Sequence, residues 1–402
     1  MTDTTAAGAA HVLVAVDKFK GSLTAAQVAD RVRAGLRSVA PRLPVEALPV
    51  ADGGDGTVEA AVSAGFERRE VRVTGPLGEP VTAAFALREG TAVVETAEAS
   101  GLRRLPAGVL APLTATSYGS GELLRAALDA GARTLVLGVG GSATTDGGAG
   151  MLAALGARFL DAAGRPVGPG GGGLRDLAAA DLSRLDPRLA DVELVLAGDV
   201  DNPLTGPEGA PAVFGPQKGA TEEDVRALDA ALVRYVEVLA EAVGPRAAEA
   251  AAAPGAGGAG GLGYGALVGL GAVFRPGIEL MLDLLDFTAA LDRATLVITG
   301  EGCLDEQTLR GKAPAGVAAA ARATGVDTVA VCGRLELSPQ ALARAGIRRA
   351  YPLTDLEPDP ALCLARAAPL LERVAADVAR DLLNRRPPCH RRRGGRPGAA
   401  GT

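Results

Sequence analysis

Apolar positions along the 402-residue chain follow two patterns. Runs such as Val12-Leu13-Val14-Ala15-Val16 and Leu135-Val136-Leu137 are apolar at every position, as in strands covered on both faces. Elsewhere apolar residues return every three or four positions, as in helices that bury one face. The first pattern predicts strands over 11–16, 45–50, 135–137, 192–197, 295–299, 328–331 and 349–352. The second predicts helices over 24–39, 58–64, 123–130, 151–155, 222–243, 262–270, 278–285, 316–324, 339–345 and 361–383. Thr24 with Gln27 three residues on is a capping-box signature, and Thr221 caps the long helix 222–243. Between 71 and 95 the pattern shortens to strands over 71–73, 81–87 and 92–95 with Gly/Pro turns, an antiparallel meander; 158–161 is one more short strand.

The chain therefore begins and ends as alternating strand and helix around a different middle. The expected fold class is α/β with two domains. A Rossmann/flavodoxin-like parallel-sheet domain is formed by 11–66 and 288–384, and a mixed α/β domain, 67–287, is inserted into it. Residues 1–10 and the basic segment 385–402 read as disordered tails. The Gly/Pro loop 164–173 reads as mobile.

Composition narrows the function classes. Hydrophobic residues make up 48% and charged residues 22%, ordinary for a folded globular protein. The net charge of −6 and an aromatic content of 3% leave little for nucleic acid or an anionic membrane to hold. Four cysteines without C-x-x-C spacing argue against a zinc site or a disulfide framework. No apolar run reaches the length of a membrane span, and the N-terminus lacks a signal-peptide core, so the expected location is cytoplasmic. His11 and His390 are the only histidines and flank the folded region, which removes Ser-His-Asp catalysis.

What chemistry remains is carried by glycine turns. Gly138–Ala143 fits the loose Gly-x-Gly-x-x-Gly/Ala pattern, and Asp161 stands about 20 residues on, as in a dinucleotide fold. Asp146 in the same turn opposes a bare pyrophosphate and points to Mg²⁺ or a hydroxyl instead. Lysine occurs only at 18, 20, 218 and 312 among 41 basic residues, each time in a glycine-punctuated loop. A lysine is a compact charge suited to a phosphate oxygen. Asp52-Gly53-Gly54-Asp55-Gly56 suits a hydroxyl or a hydrated metal ion, or is simply a turn. Asp199-Val200-Asp201-Asn202 follows a strand end, where open sheets place ligands, and offers a Mg²⁺ ligand or a base. Residues 254–261 form a candidate backbone nest for a ligand. No P-loop motif is present.

Taken in order, these motifs resemble the type 1 glycerate kinase family over nearly the whole of 11–383. The resemblance rests on Phe19-Lys20-Gly21-Ser22-Leu23, Asp52-Gly53-Gly54-Asp55-Gly56-Thr57, Thr116-Ser117-Tyr118-Gly119 and Gly140-Gly141-Ser142-Ala143-Thr144 with Asp146. It continues through Asp199–Leu204, Phe214–Ala220 and Gly300-Glu301-Gly302 with Leu304-Asp305. It implies phosphorylation of D-glycerate by ATP with Mg²⁺, 2-phosphoglycerate favoured as product, in a site between two α/β domains. On that basis Asp199, Lys20 and Lys218 are the expected catalytic residues. Lys18, Ser22, Asp52, Gly53, Gly54, Gly140, Gly141, Ser142, Thr144, Asn202, Glu301 and Lys312 are the expected substrate and nucleotide contacts, with Asp201 and Asp146 on the metal. The chain departs from the family pattern at Lys18 (usually Ser), Thr145 (usually Asn) and Cys303 (usually Arg). Lys18 restores the charge lost at Cys303 if their loops meet. A homodimer stays open, and the competing readings are an NAD(P)-dependent oxidoreductase and a non-catalytic nucleotide or organic-acid sensor on the same fold.

Overall fold

In a computed structural model that describes residues 10–383, thirteen strands form three sheets. In chain order they are β1 (Val12–Val16), β2 (Val45–Ala47), β3 (Glu67–Thr74), β4 (Pro80–Arg88), β5 (Thr91–Glu95), β6 (Thr134–Gly138) and β7 (Arg158–Leu160). The series continues with β8 (Ala179–Asp181), β9 (Glu193–Gly198), β10 (Val273–Pro276), β11 (Leu296–Leu304), β12 (Asp327–Leu335) and β13 (Ile347–Pro352). The order β13-β12-β11-β1-β2 makes a parallel five-stranded sheet from the two ends of the chain. The order β10-β9-β6-β5-β4-β3 makes a mixed six-stranded sheet from the middle, with β3, β4 and β5 antiparallel as the pattern requires. β7 and β8 pair alone. The two expected tails, Ala10 apart, lie outside the described residues.

The uninterrupted apolar runs became interior strands. All five residues of β1 are buried, its even positions facing one core and Leu13 and Ala15 the other. Helix Ala25–Val39 begins in the expected capping box of Thr24 and Gln27. It lies against helix Ala367–Leu383 so closely that a Cβ on Gly35 would collide with the Glu372 carbonyl and the Ala375 side chain. On the opposite face, helix Gly277–Leu284 lends Ile278, Met281 and Leu282 to the five-stranded core and Leu280 to the six-stranded one. Helix Thr57–Ser63 is likewise shared, through Ala60 on one side and Val58 and Ala61 on the other. These two helices join the sheets.

Several details differ from the sequence expectation. β10 was not foreseen, because Val273-Phe-Arg-Pro has no strand pattern of its own and is held by β9. The last helix divides into Pro360–Ala365 and Ala367–Leu383. The 164–173 loop is fastened at both ends rather than free: 164–167 hydrogen-bonds back to 159–161, and the helical turn Gly170–Gly173 is wedged against the Leu113 and Thr114 backbone.

Gly35 gives a direct test of the helix pair. Gly35→Ala should destabilise the protein by about 1–3 kcal/mol, the usual cost of overpacking a close contact. Thermal and denaturant unfolding would read it, and an unchanged midpoint would mean that the helices do not meet there.

Candidate active site

The C-terminal ends of β1, β11 and β12 face the loops after β6 and β9 across a cleft of about 730 Å³, within the size range of small-molecule sites. β2 and β11 leave β1 on opposite sides, so the end of β1 is a switch point, where open parallel sheets leave a crevice for ligands. Asp17 and Lys18 stand there.

Asp17 is 6% exposed and one of its oxygens accepts the Lys18 N–H at 2.6 Å. Burial, opposed by Lys18 and assisted by the charge of Asp52, holds this carboxyl up at about 7. The Lys18 ammonium lies 3.8 Å from Asp17 and donates to the Asp55 carbonyl. Burial alone would lower its pKa, but Asp17, Asp52 and Asp55 outweigh that and leave it raised. Glu301, near the end of β11, accepts from the Thr308 hydroxyl at 2.6 Å, and burial lifts it to about 6. Asp199 on the facing wall is open to cleft water. The enclosing walls and the Asp52 charge still raise it to about 6, against the pull of Lys312 and Lys18. Lys312, immediately before helix Ala313–Ala323, thus lies close to carboxylates of both walls.

Close backbone approach shapes the rest. Gly53 has φ +86°, and a Cβ on it would come within 3.0 Å of Gly277. A Cβ on Gly140 would lie 2.6 Å from Gly54 Cα, so the loops after β2 and β6 cross backbone to backbone. Gly54, Gly140 and Gly141 line the cleft, while Gly53 serves behind it. Lys20 and Ser22 also line it, on a loop that turns through Gly21 at φ +83°.

Besides Gly53, six expected contacts do not reach the cleft lining. Lys218 is 2% exposed and donates to the Ser142 hydroxyl at 3.0 Å and the Thr144 carbonyl at 2.6 Å. It fastens the Gly140–Thr144 loop from beneath, and Ser142 and Thr144 are buried with it. Burial lowers its pKa to about 7, with Asp146 opposing. Asp146 is itself sealed, accepting from the Ser117 amide and hydroxyl at 2.9 and 2.8 Å and from the Gly148 and Gly150 amides. It organises the start of helix Ala149–Ala154 and is not placed to hold a metal ion in the cleft. Asp201 is exposed and off the lining, and Asn202 donates to the Glu208 carbonyl at 2.9 Å. The expected nest at 254–261 is interior structure as well. Ala259, Gly260 and Gly261 are left-handed, and the Gly260 carbonyl accepts from Gly147 at 3.1 Å over the Lys218 ammonium. Asp161, the candidate ribose contact, is tied to Arg165 beside β7.

Sequence reasoning passed over Asp17 and Arg103, which do line the cleft, and kept Asp55 only as part of the Asp52–Gly56 turn. Asp17 was within reach, since the strand-end rule that singled out Asp199 applies to it. Arg103 pairs with Asp55 at 2.8 Å, Glu95 at 3.3 Å and Glu98, partners on separate segments that no spacing rule connects. Of the departures, Cys303 and Lys18 share the cleft, and Thr145 is buried. Arg334, in register with Cys303 on the neighbouring strand, places a guanidinium beside that thiol. Cys303, Asp305 and Glu336 bring ligand atoms within 4.8 Å of one another, but Arg334 already pairs with Glu336 at 2.9 Å.

The sequence profile of the glycerate kinase family matches residues 12–383. A protein of Bacillus subtilis (strain 168) named glycerate kinase is 46% identical over 376 residues, covering 92% of this chain and 97% of its own. A protein of Escherichia coli (strain K12) named glycerate 2-kinase is 45% identical over 328 residues, covering 81% and 85%. A crystal structure from Salmonella typhimurium LT2, assigned there as glycerate kinase 2, superposes with a TM-score of 0.79 at 43% identity over 93% of this chain and 98% of that one.

The buried lysine makes a signed prediction. Its folded pKa, about 7, lies below the ordinary 10.5, so between those values the unfolded chain binds more protons and this lysine's contribution to stability grows as pH rises. Denaturant unfolding of wild type and Lys218→Met at pH 6.5 and pH 9 should show a difference that shifts in favour of wild type at the higher pH. A difference independent of pH would place the ammonium in water.

Proposed function

The chain belongs to the glycerate kinase family, and from that premise we propose that it transfers the terminal phosphoryl group of ATP to D-glycerate with Mg²⁺, 2-phosphoglycerate favoured as product. The observation that carries this reading is the cleft itself, where lysines and carboxylates of two facing sheets converge at one switch point. Phosphoryl transfer asks for positioning and charge neutralisation more than covalent chemistry. Lys18, Lys20 and Lys312 supply the cations for phosphate oxygens, and the crossing glycine backbones let a ligand approach the main chain.

The donor set suits Mg²⁺. Asp17 and Asp199 are both raised first by burial and further by the Asp52 charge, and that added negative charge is one a divalent cation would offset. Asp17 and Asp52 are the residues that would hold it, in place of Asp146 and Asp201. When bound, the ion supplies charge neutralisation to the phosphate oxygens. Asp199, on the opposite wall, takes the proton from the attacking hydroxyl; a carboxyl near 6 is ionised at neutral pH and still basic enough for that work. The two sheets act as the two domains of the enzyme, near 11–66 with 288–384 and 67–287, and close on the bound pair. The 2-position follows the name of the Escherichia coli relative. Among the described residues no helix is long and apolar enough to cross a membrane, which accords with a cytoplasmic enzyme.

Purified protein given D-glycerate and MgATP should release ADP in step with glycerate consumed, and enolase should accept the product. Absence of ADP release would end the proposal, and a product refused by enolase would move the phosphoryl group to the 3-hydroxyl. kcat/KM should rise with pH through about 6 and then level, as Asp199 loses its proton. Asp199→Asn should lower kcat by about 10²–10⁴-fold and abolish that limb; a retained limb would assign the base elsewhere.

A further inference from the structure

The cleft is chemically lopsided. Its carboxylates and lysines gather at the ends of β1 and β11 and on the facing wall and Arg334 stands on β12, whereas the lining residues that follow β13 are, Thr354 apart, apolar. There the core beneath helices Ala25–Val39 and Ala367–Leu383 comes to the surface: Leu353, Cys363 and Ala367 belong to that core and also line the cleft, as does Phe19 from the loop after β1. Leu364 extends this surface and is 50% exposed, an uncovered apolar side chain at the wall of a concave site. A three-carbon hydroxy acid has nothing to offer such a surface. A purine does.

Gly302 and Gly333 lie side by side on β11 and β12 and both line the cleft. The loop after β1 lies across Gly302, where a Cβ would meet the Lys20 amide nitrogen at 3.3 Å, and a Cβ on Gly21 of that loop would lie 3.9 Å from the Leu364 side chain. The apolar surface therefore adjoins the loop that carries Lys18 and Lys20, so one ligand can touch both.

Resting on the kinase reading above, we propose that the apolar surface formed by Phe19, Leu353, Pro360, Cys363, Leu364 and Ala367 receives the purine base of the nucleotide. The phosphates then follow the 18–22 loop, and the terminal phosphate arrives between Lys18, Lys312 and Asp199. The small acid is left the six-stranded wall, near Gly140 and Gly141. Base recognition here is through apolar faces, with the Thr354 hydroxyl at the rim.

Calorimetric titration of the full chain with ADP, and separately with inorganic tripolyphosphate, tests the assignment without any turnover. Leu364→Ser should weaken ADP binding on the order of tenfold by removing apolar cover and leave tripolyphosphate affinity unchanged. Ala367→Phe, which fills the surface, should do the same, with unfolding midpoints measured to show that both variants fold. ADP affinity unchanged in folded variants, or equal losses for ADP and tripolyphosphate, would overturn the proposal, as would a wild-type chain that binds no ADP. A chain that binds ADP in this manner but leaves D-glycerate untouched would remove the glycerate reading while this one stands.

Discussion

The parallel pairing of β1 with β11 is the constraint on which everything else rests. Val12 to Val16 lie in register with Leu296 to Gly300, which joins segments more than 280 residues apart, His11 and Thr295 being separated by 284 positions. Loop-closure entropy grows only logarithmically with length, and the intervening chain shortens the gap further by building a sheet of its own. The pairing places Asp17 beside Glu301 and makes the switch point where the cleft opens. Without it the carboxylates of the two chain ends would share no site.

A second constraint is the near absence of side chains where the two sheets' loops meet. Gly54 against Gly140 and Gly53 against Gly277 are contacts between main chains, and any Cβ would push the walls apart. Beneath one of these loops the Lys218 ammonium replaces water with two protein acceptors. A buried cation of this kind is a costly fastening, and its worth lies in holding a glycine-rich segment that cannot hold itself.

Much of this was legible in the chain. The apolar runs identified the parallel strands because strands buried on both faces have no polar positions to blur them, and the caps at Thr24 and Thr221 marked helix starts to the residue. β10 was hidden because its pairing is supplied by β9 rather than by its own pattern. Within the site, motif reading located the loops but not the direction of their side chains. Lys218 and Asp146 sit in the right turns and point into the protein; Asp17 sits two positions before the Phe19–Leu23 motif and lines the cleft. Spacing along a chain reports which residues share a turn. Which of them meets solvent is decided by segments that arrive from elsewhere, such as 257–261 over Lys218.

The scarcity of lysine has a practical side. Surface ion pairs on this protein are made by arginine almost throughout, and Lys18 is the one lysine among them in the described residues. Three of the four lysines line the cleft and the fourth is sealed under its wall. A reagent selective for side-chain amines therefore meets no bystanders on the outer surface. Acylation would act here as an affinity label without needing a recognition element, and the order in which Lys20, Lys312 and Lys18 are consumed would chart how a bound ligand covers the cleft.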